Sequence, residues 1–355
     1  MPANQATCTV AVDMMGGDRG SGEFVRALAA LMADDSASAR FLLVGKERLI
    51  ERLLRARRLH ENPRLGIVDA SEVIGMDEKP IQALKRKKNS SMARAIDLLT
   101  DGSVDAMVSC GNTGALMAGG TLRVRPLAGI ERPALASIVP TRQAPVVLLD
   151  VGANPEATPD HLVHNAVLGA NYARAALDRQ NPTVGLLTIG TEEGKGTTLT
   201  NKTHNYLKSM NGLLDYRGPI EGFQVFDGAI DVVVCDGFVG NIVLKASEGL
   251  YRFIGDTLRE ELTRGKRRKL GAALTRPAFR DMKSRLNPNR YSGAPLLGLR
   301  GNILKAHGSA DHEAIAGALR VATEIVAHDM IDAISADVSR ANDLMNVARV
   351  EAADA

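Results

Sequence analysis

Six stretches of this chain set glycines among groups able to bind an anion or move a proton. They are "DMMGGDRG" at 13–20, "GNTGALM" at 111–117, "DVGANPE" at 150–156, "GTEEGKGT" at 190–197, "DGFVGN" at 236–241 and "HGSADHEA" at 307–314. Backbone N–H groups gathered at a helix start form a cradle for a small anion, and glycine lets that backbone approach the ligand. The candidate cradle residues are Gly16, Gly17 and Asp18; Gly111, Thr113 and Gly114; Asn154; Asp236, Gly237 and Gly240; and His307, Gly308 and Ser309. Asn112 and Asn241 are candidate side-chain donors to an oxyanion. Lys195 and Lys245 are candidate cations, with Lys245 one helical turn beyond Asn241. Each feature also has a plain structural reading. Asn112 or Thr113 would cap a helix without any ligand, and so would Ser309. Asp311 and Glu313 would weaken anion attraction in the last loop.

Asp13, Asp150 and Asp236 each end an apolar run, where a carboxylate caps the next helix or ties loops together. Cys110 would act as an acyl-carrying nucleophile only with a base to make its thiolate, and no spacing pairs it with one of the seven histidines. The three cysteines suggest neither a disulfide framework nor a zinc site. "GTEEGKGT" falls one residue short of a P-loop and has Gly196 where a magnesium-binding hydroxyl is required. No dinucleotide fingerprint follows the first apolar run, so these nucleotide classes are disfavoured.

The elements that must position these loops are short β-branched runs alternating with helical patterns. Expected strands start near residues 8, 40, 65, 104, 144, 183, 231 and 302. Several are apolar at consecutive positions, as strands covered on both faces are. The pattern predicts a single α/β domain over 1–338, a mostly parallel layered sheet with helices on both faces. Its Gly-rich turns would all lie at one carboxyl edge, where such sheets bind ligands. Residues 251–290 read instead as two amphipathic helices, with Tyr251, Ile254, Leu258 and Leu262 on one face and Phe279, Met282 and Leu286 on the other's. Residues 339–355 read as a loosely ordered tail.

Composition sets outer limits. The 355 residues are 45% hydrophobic and only 3% aromatic, without Trp, which disfavours base stacking as the main activity. No run reaches the roughly 20 apolar residues of a membrane span, and the N-terminus lacks the pattern of a secretory signal. The net charge of +3 conceals ten Lys or Arg against one acid between Arg264 and Arg290, on a remainder that is net negative. Lys266, Arg267, Arg268 and Lys269, with the apolar Phe279, Met282 and Leu286, would suit an anionic membrane surface or an acidic protein.

Taken in order, "VAVDMMGGD", "GNTGALM", "GIERPALA", "DVGAN", "IGTEEGKG", "DGFVGN" with "LKASEG", and "GAPLLGLRG" with "HGSAD" span residues 10–311. Together they resemble the bacterial phosphate acyltransferase of phospholipid synthesis, the PlsX family. Val239 and Thr197 depart from its usual Thr and Asn, and Cys110 from a small residue such as Ala. The resemblance implies a homodimer with a fold similar to phosphotransacetylase and isocitrate dehydrogenase. It also implies that inorganic phosphate attacks an acyl-acyl carrier protein thioester, giving acyl phosphate and free carrier without metal, ATP or other cofactor. The acyl phosphate would pass to a membrane glycerol-phosphate acyltransferase, at the cytoplasmic membrane face. Two rival readings are a phosphotransacetylase-like enzyme using acyl-CoA and a basic nucleic-acid-binding module without catalysis.

Overall fold

Strand ends that are apolar on both faces demand cover on both sides, and the chain supplies it. The structure is a computed structural model that describes residues 8–33, 39–192, 194–286 and 293–354. Five strands build one half of the sheet: β1 (Thr9–Asp13), β2 (Arg40–Gly45), β3 (Leu65–Asp69), β4 (Ala106–Ser109) and β11 (Asn302–Lys305). The other half holds β6 (Val146–Leu149), β7 (Thr183–Leu187), β8 (Asp215–Ile220) and β9 (Val232–Val234). Between them run β5 (Ala134–Val139) and β10 (Ala294–Leu297). The order among the described residues is β3-β2-β1-β4-β11-β10-β5-β6-β9-β7-β8. All eight strands expected from the sequence are present. The three further ones are β5, β8 and β10.

Those additions change the geometry of the ligand edge. β10 runs antiparallel to both β11 and β5, and β5 antiparallel to β6. Three successive reversals turn the β6-β9-β7-β8 half against the direction of the β3-β2-β1-β4-β11 half. The expected single carboxyl edge is therefore two edges pointing opposite ways. Alternation sorts the side chains of each strand between faces. Val10 and Val12 face a core shared with α1 (Ser21–Met32), α6 (Pro159–Leu177) and α11 (His312–Ala327), while Ala11 faces one shared with α4 (Ser91–Thr100) and α5 (Thr113–Gly119). Helix α6 starts on a capping box, Thr158 with His161, and has Pro159 in its first turn, where the missing N–H costs nothing.

The bridge between the halves is α8 (Gly237–Thr263), which leaves β9 and packs over β5 and β6. Residues 251–262 are the far end of this one helix, and α9 (Lys266–Leu274) and α10 (Arg276–Leu286) follow it. Three helical segments thus replace the expected two. The expected loose tail is also ordered. Residues 339–354 belong to α12 (Met330–Asp354), which buries Val338, Ala341 and Met345. Asn171 Nδ2 and Arg174 Nη1 of α6 hold its Asp337 at 3.0 and 3.2 Å, and Arg349 pairs with Asp160. No helix among the described residues is long and apolar enough to cross a membrane.

Candidate active site

Three apolar strands end in a polar residue at the same level. The register aligns Asp13 of β1 with Ser109 of β4, and Ser109 with Lys305 of β11. In-register residues of parallel neighbours share a face, so these side chains form a polar row across the ends of three strands. Ser109 Oγ donates to Asp13 Oδ2 at 2.7 Å and accepts from Gly111 N–H at 3.0 Å. Burial pushes the Asp13 carboxyl up, against hydrogen bonds from Ser91, Ser109 and the Met15 amide and the charge of Lys305. The loops beyond the row are joined backbone to backbone. Asp18 N–H donates to Gly308 C=O at 2.8 Å, and a Cβ added to Gly16 would lie 2.6 Å from the Gly111 nitrogen. Gly16, Gly17, Asp18, Gly111, His307, Gly308 and Ser309 are thereby brought together.

Lys305 was not among the sequence candidates, yet it ends β11 half-buried at one end of this row. Its Nζ donates to the neighbouring Ala306 carbonyl at 2.6 Å. Burial depresses its pKa, Lys245 adds to that, and Cys110, Asp13 and Asp18 oppose it. The signal available in the sequence was a lysine closing the short "NILK" strand pattern directly before "AHGSAD". Cys110 is buried, and its thiol is pushed up to about 12. Thiolate is therefore scarce near neutral pH, and the nucleophile reading finds no support. His307 Nδ1 lies 3.2 Å from the Ser309 N–H and 2.8 Å from the Ser309 hydroxyl. Desolvation and then the Lys245 charge push the His307 pKa down.

A second cluster gathers at the carboxyl ends of β6 and β9. The fully buried Asp150 accepts from the amides of Leu135, Gly152, Ala153 and Asn154 at 2.7 to 3.2 Å, and from Asn154 Nδ2 at 3.1 Å. Asp236 caps α8, its Oδ1 accepting from Phe238 and Val239 N–H at 3.0 and 2.9 Å. Asn241 stands exposed in the second turn above Gly152. Lys245, one turn further, pairs with Glu248 at 2.8 Å and lies near enough for its charge to act on Lys305 and His307. Helix α8 thus begins at the carboxyl end of one half-sheet and brings Lys245 to that of the other.

Several candidates have different work from that expected. The Asn112 amide is committed: Nδ2 donates to the carbonyls of Gly75, Met76 and Glu78 at 2.9 to 3.2 Å, and Oδ1 accepts from Ala115 N–H. It caps α5 and pins the 75–78 loop, leaving no free donor for an oxyanion. Asn154 is likewise bound to Pro133 C=O and Asp150. The glycines of "DGFVGN" answer to packing rather than to a ligand. A Cβ at Gly240 would sit 1.9 Å from the Asp150 oxygen, and one at Gly237 would sit 2.8 Å from Asn154 backbone. Gly114 lets α5 approach Pro80, where a Cβ would come within 2.6 Å. Thr113 is exposed at the start of α5. Asp311, not Ser309, caps α11. Lys195 is exposed on its own loop, 3.3 Å from Glu192. Among the surface candidates, Lys266, Arg267, Arg268, Lys269 and Met282 are exposed and Phe279 is half-buried, while the Leu286 side chain lies outside the described residues.

Known proteins share both the sequence and the architecture. Residues 8–333 match the family model described as fatty acid synthesis protein. A phosphate acyltransferase of Herminiimonas arsenicoxydans is 41% identical over 336 residues, 94% of either chain. One of Heliobacterium modesticaldum is 44% identical over 325 residues, 92% of this chain and 96% of its own. Among solved structures, a phosphotransacetylase from Streptococcus pyogenes matches with a TM-score of 0.62 at 16% identity, covering 90% of this chain and 94% of that one. The EutD phosphotransacetylase from Staphylococcus aureus matches with a TM-score of 0.59 at 15% identity, over 90% and 94%. These structural likenesses establish the α/β fold, and the sequence identities establish more: this chain is an acyltransferase that belongs to the phosphate acyltransferase (PlsX) family.

Proposed function

We propose that the enzyme transfers an acyl group from the thioester of acyl-loaded carrier protein to inorganic phosphate, in phospholipid synthesis. One observation carries the reading. The charge of Lys245 reaches both Lys305 and His307, and Lys305 in turn faces Cys110, whose thiol burial pushes up to about 12. Such a site suits an anionic nucleophile brought by the substrate better than a covalent acyl-enzyme.

A phosphate oxygen attacks the carbonyl carbon and forms a C–O bond. The tetrahedral oxyanion then collapses, the C–S bond breaks, and the electron pair leaves on sulfur. The proton of hydrogen phosphate ends on the carrier thiol, so the reaction balances without a further reactant. The protein's part is to hold phosphate in line, stabilise the oxyanion and exclude water. Asn241 is the proposed side-chain donor. Lys245 or Lys195 offsets phosphate charge, and the Gly16–Gly17–Asp18 and His307–Gly308–Ser309 loops form the cradle.

Two features support the proposed setting. The α8 residues Leu250, Phe253 and Ile254 are 58%, 68% and 53% exposed, an apolar surface that a second copy would cover in a homodimer. The basic α9 and the exposed Met282 of α10 suit peripheral contact with an anionic membrane on its cytoplasmic side, or with the acidic carrier protein. The product would then reach a membrane glycerol-phosphate acyltransferase. Donor choice provides the test: acylated carrier protein must outperform the same acyl group on coenzyme A. Equal or better turnover with acyl-CoA would replace this reading with the phosphotransacetylase-like one.

A further inference from the structure

The lysine that ends β11 is electrostatically incomplete. An ammonium has three donors, and among the described residues that of Lys305 has one acceptor, the Ala306 carbonyl 2.6 Å away. No carboxylate among the described residues comes within ion-pairing distance of it. Buried and half-buried charges are ordinarily paired, because removing them from water is costly. The polar row explains why this one is not. Ser109 stands between Asp13 and Lys305, so the two side chains are separated by two strand spacings, roughly 10 Å at the backbone. Asp13 meanwhile spends its Oδ2 on Ser109.

The charged and titratable groups acting on Lys305 come from every element around it. Asp13 belongs to β1, Asp18 to the loop after it, Cys110 to the end of β4 and Lys245 to α8. Asp13 is itself pushed toward its neutral form by burial. His307, two residues along, is exposed and feels both Lys245 and Lys305. The surroundings thus combine a second ammonium with carboxylates that do not reach the first.

We propose that Lys305 is the cation that grips inorganic phosphate, its free N–H donors meeting the oxygens of the nucleophile while Lys245 approaches from α8. The role in catalysis rests on the reading of phosphate as attacking group, but binding of phosphate alone can be read without any acyl donor. Lys305 is placed for this by the strand register, whereas Lys195 sits on its own loop beside Glu192.

The experiment compares full-length wild type with Lys305→Met and Lys305→Arg. Phosphate protection against thermal unfolding is measured without acyl donor, and the phosphate KM with saturating donor. The Met variant is expected to lose at least about tenfold in both, the usual scale for one hydrogen bond to a charged group. The Arg variant is expected to remain within severalfold. The pH profile separates a direct contact from a structural role. A lysine with a depressed pKa loses its charge at lower pH than an exposed one, so the wild-type phosphate KM rises early on the alkaline side. Arginine stays charged, so that rise recedes in Lys305→Arg. Phosphate binding within about twofold of wild type in a folded Met variant would overturn the assignment, and so would an unchanged alkaline rise in the Arg variant. If the Met variant does not fold, Lys305→Gln is read by the same criteria. Lys305-dependent phosphate protection without release of carrier thiol would support the phosphate site and sink the proposed reaction.

Discussion

A carboxamide already holding its neighbours cannot also hold a forming charge, and this separates the two asparagines that looked alike in sequence. Asn112 spends both ends on the 75–78 loop and α5, whereas Asn241 stands exposed above Gly152. Asn241→Ala is therefore expected to lower turnover by about 10²–10³-fold, the cost of one oxyanion donor, with an unchanged melting temperature. Near-normal turnover would remove it from the mechanism. The thiol gives the opposite expectation. With its pKa pushed up to about 12, Cys110 stays protonated near neutral pH, so Cys110→Ala should keep turnover within severalfold of wild type. A loss approaching that of a missing nucleophile would reinstate the acyl-enzyme. Residue types alone could not rank the lysines. Lys245 is exposed and paired with Glu248, while Lys305 is half-buried without a carboxylate partner among the described residues, in a register that aligns it with Ser109 and Asp13.

At the level of elements, α8 carries the architecture of the site, and its start depends on contact with the Asp150 loop. Gly240→Ala is expected to destabilise the fold by about 3 kcal/mol or more, because the new methyl meets a backbone oxygen that cannot move independently. Gly22→Ala, at an exposed position of α1 with open space around it, should change stability by less than about 1 kcal/mol. Thermal unfolding of both variants provides the comparison, and equal melting temperatures would contradict the packing account. The glycines of "DGFVGN" were legible as unusual in sequence, but not their cause, since the atom that forbids a side chain lies 90 residues away. Parallel strands were legible because both their faces are apolar. β8 was hidden by Gly218 and Pro219, which an edge strand tolerates, and β10 by Pro295 within its four residues. Without β5 and β10, nothing revealed that the half-sheets oppose each other. The helix over 339–354 had left a trace, in apolar positions at 338, 341 and 345.

On the scale of the whole molecule, charge and apolar surface are concentrated on α8, α9 and α10, away from the mixed surface of the sheet domain. Reversing Arg267, Arg268 and Lys269 to Glu should abolish flotation with anionic liposomes while turnover on soluble donor remains; unchanged flotation would sink the membrane reading. The sign of that surface is plain in the sequence, but its continuity with the helix that starts at Asp236 is not, because the sequence pattern breaks α8 near residue 251. The central claim concerns what happens to the thioester, and one assay reads it. Free carrier thiol and acyl phosphate are quantified together from acylated carrier protein as phosphate is titrated. Direct attack predicts equal amounts of the two products, both rising from near zero with phosphate. Thiol released without phosphate, or without matching acyl phosphate, would contradict it.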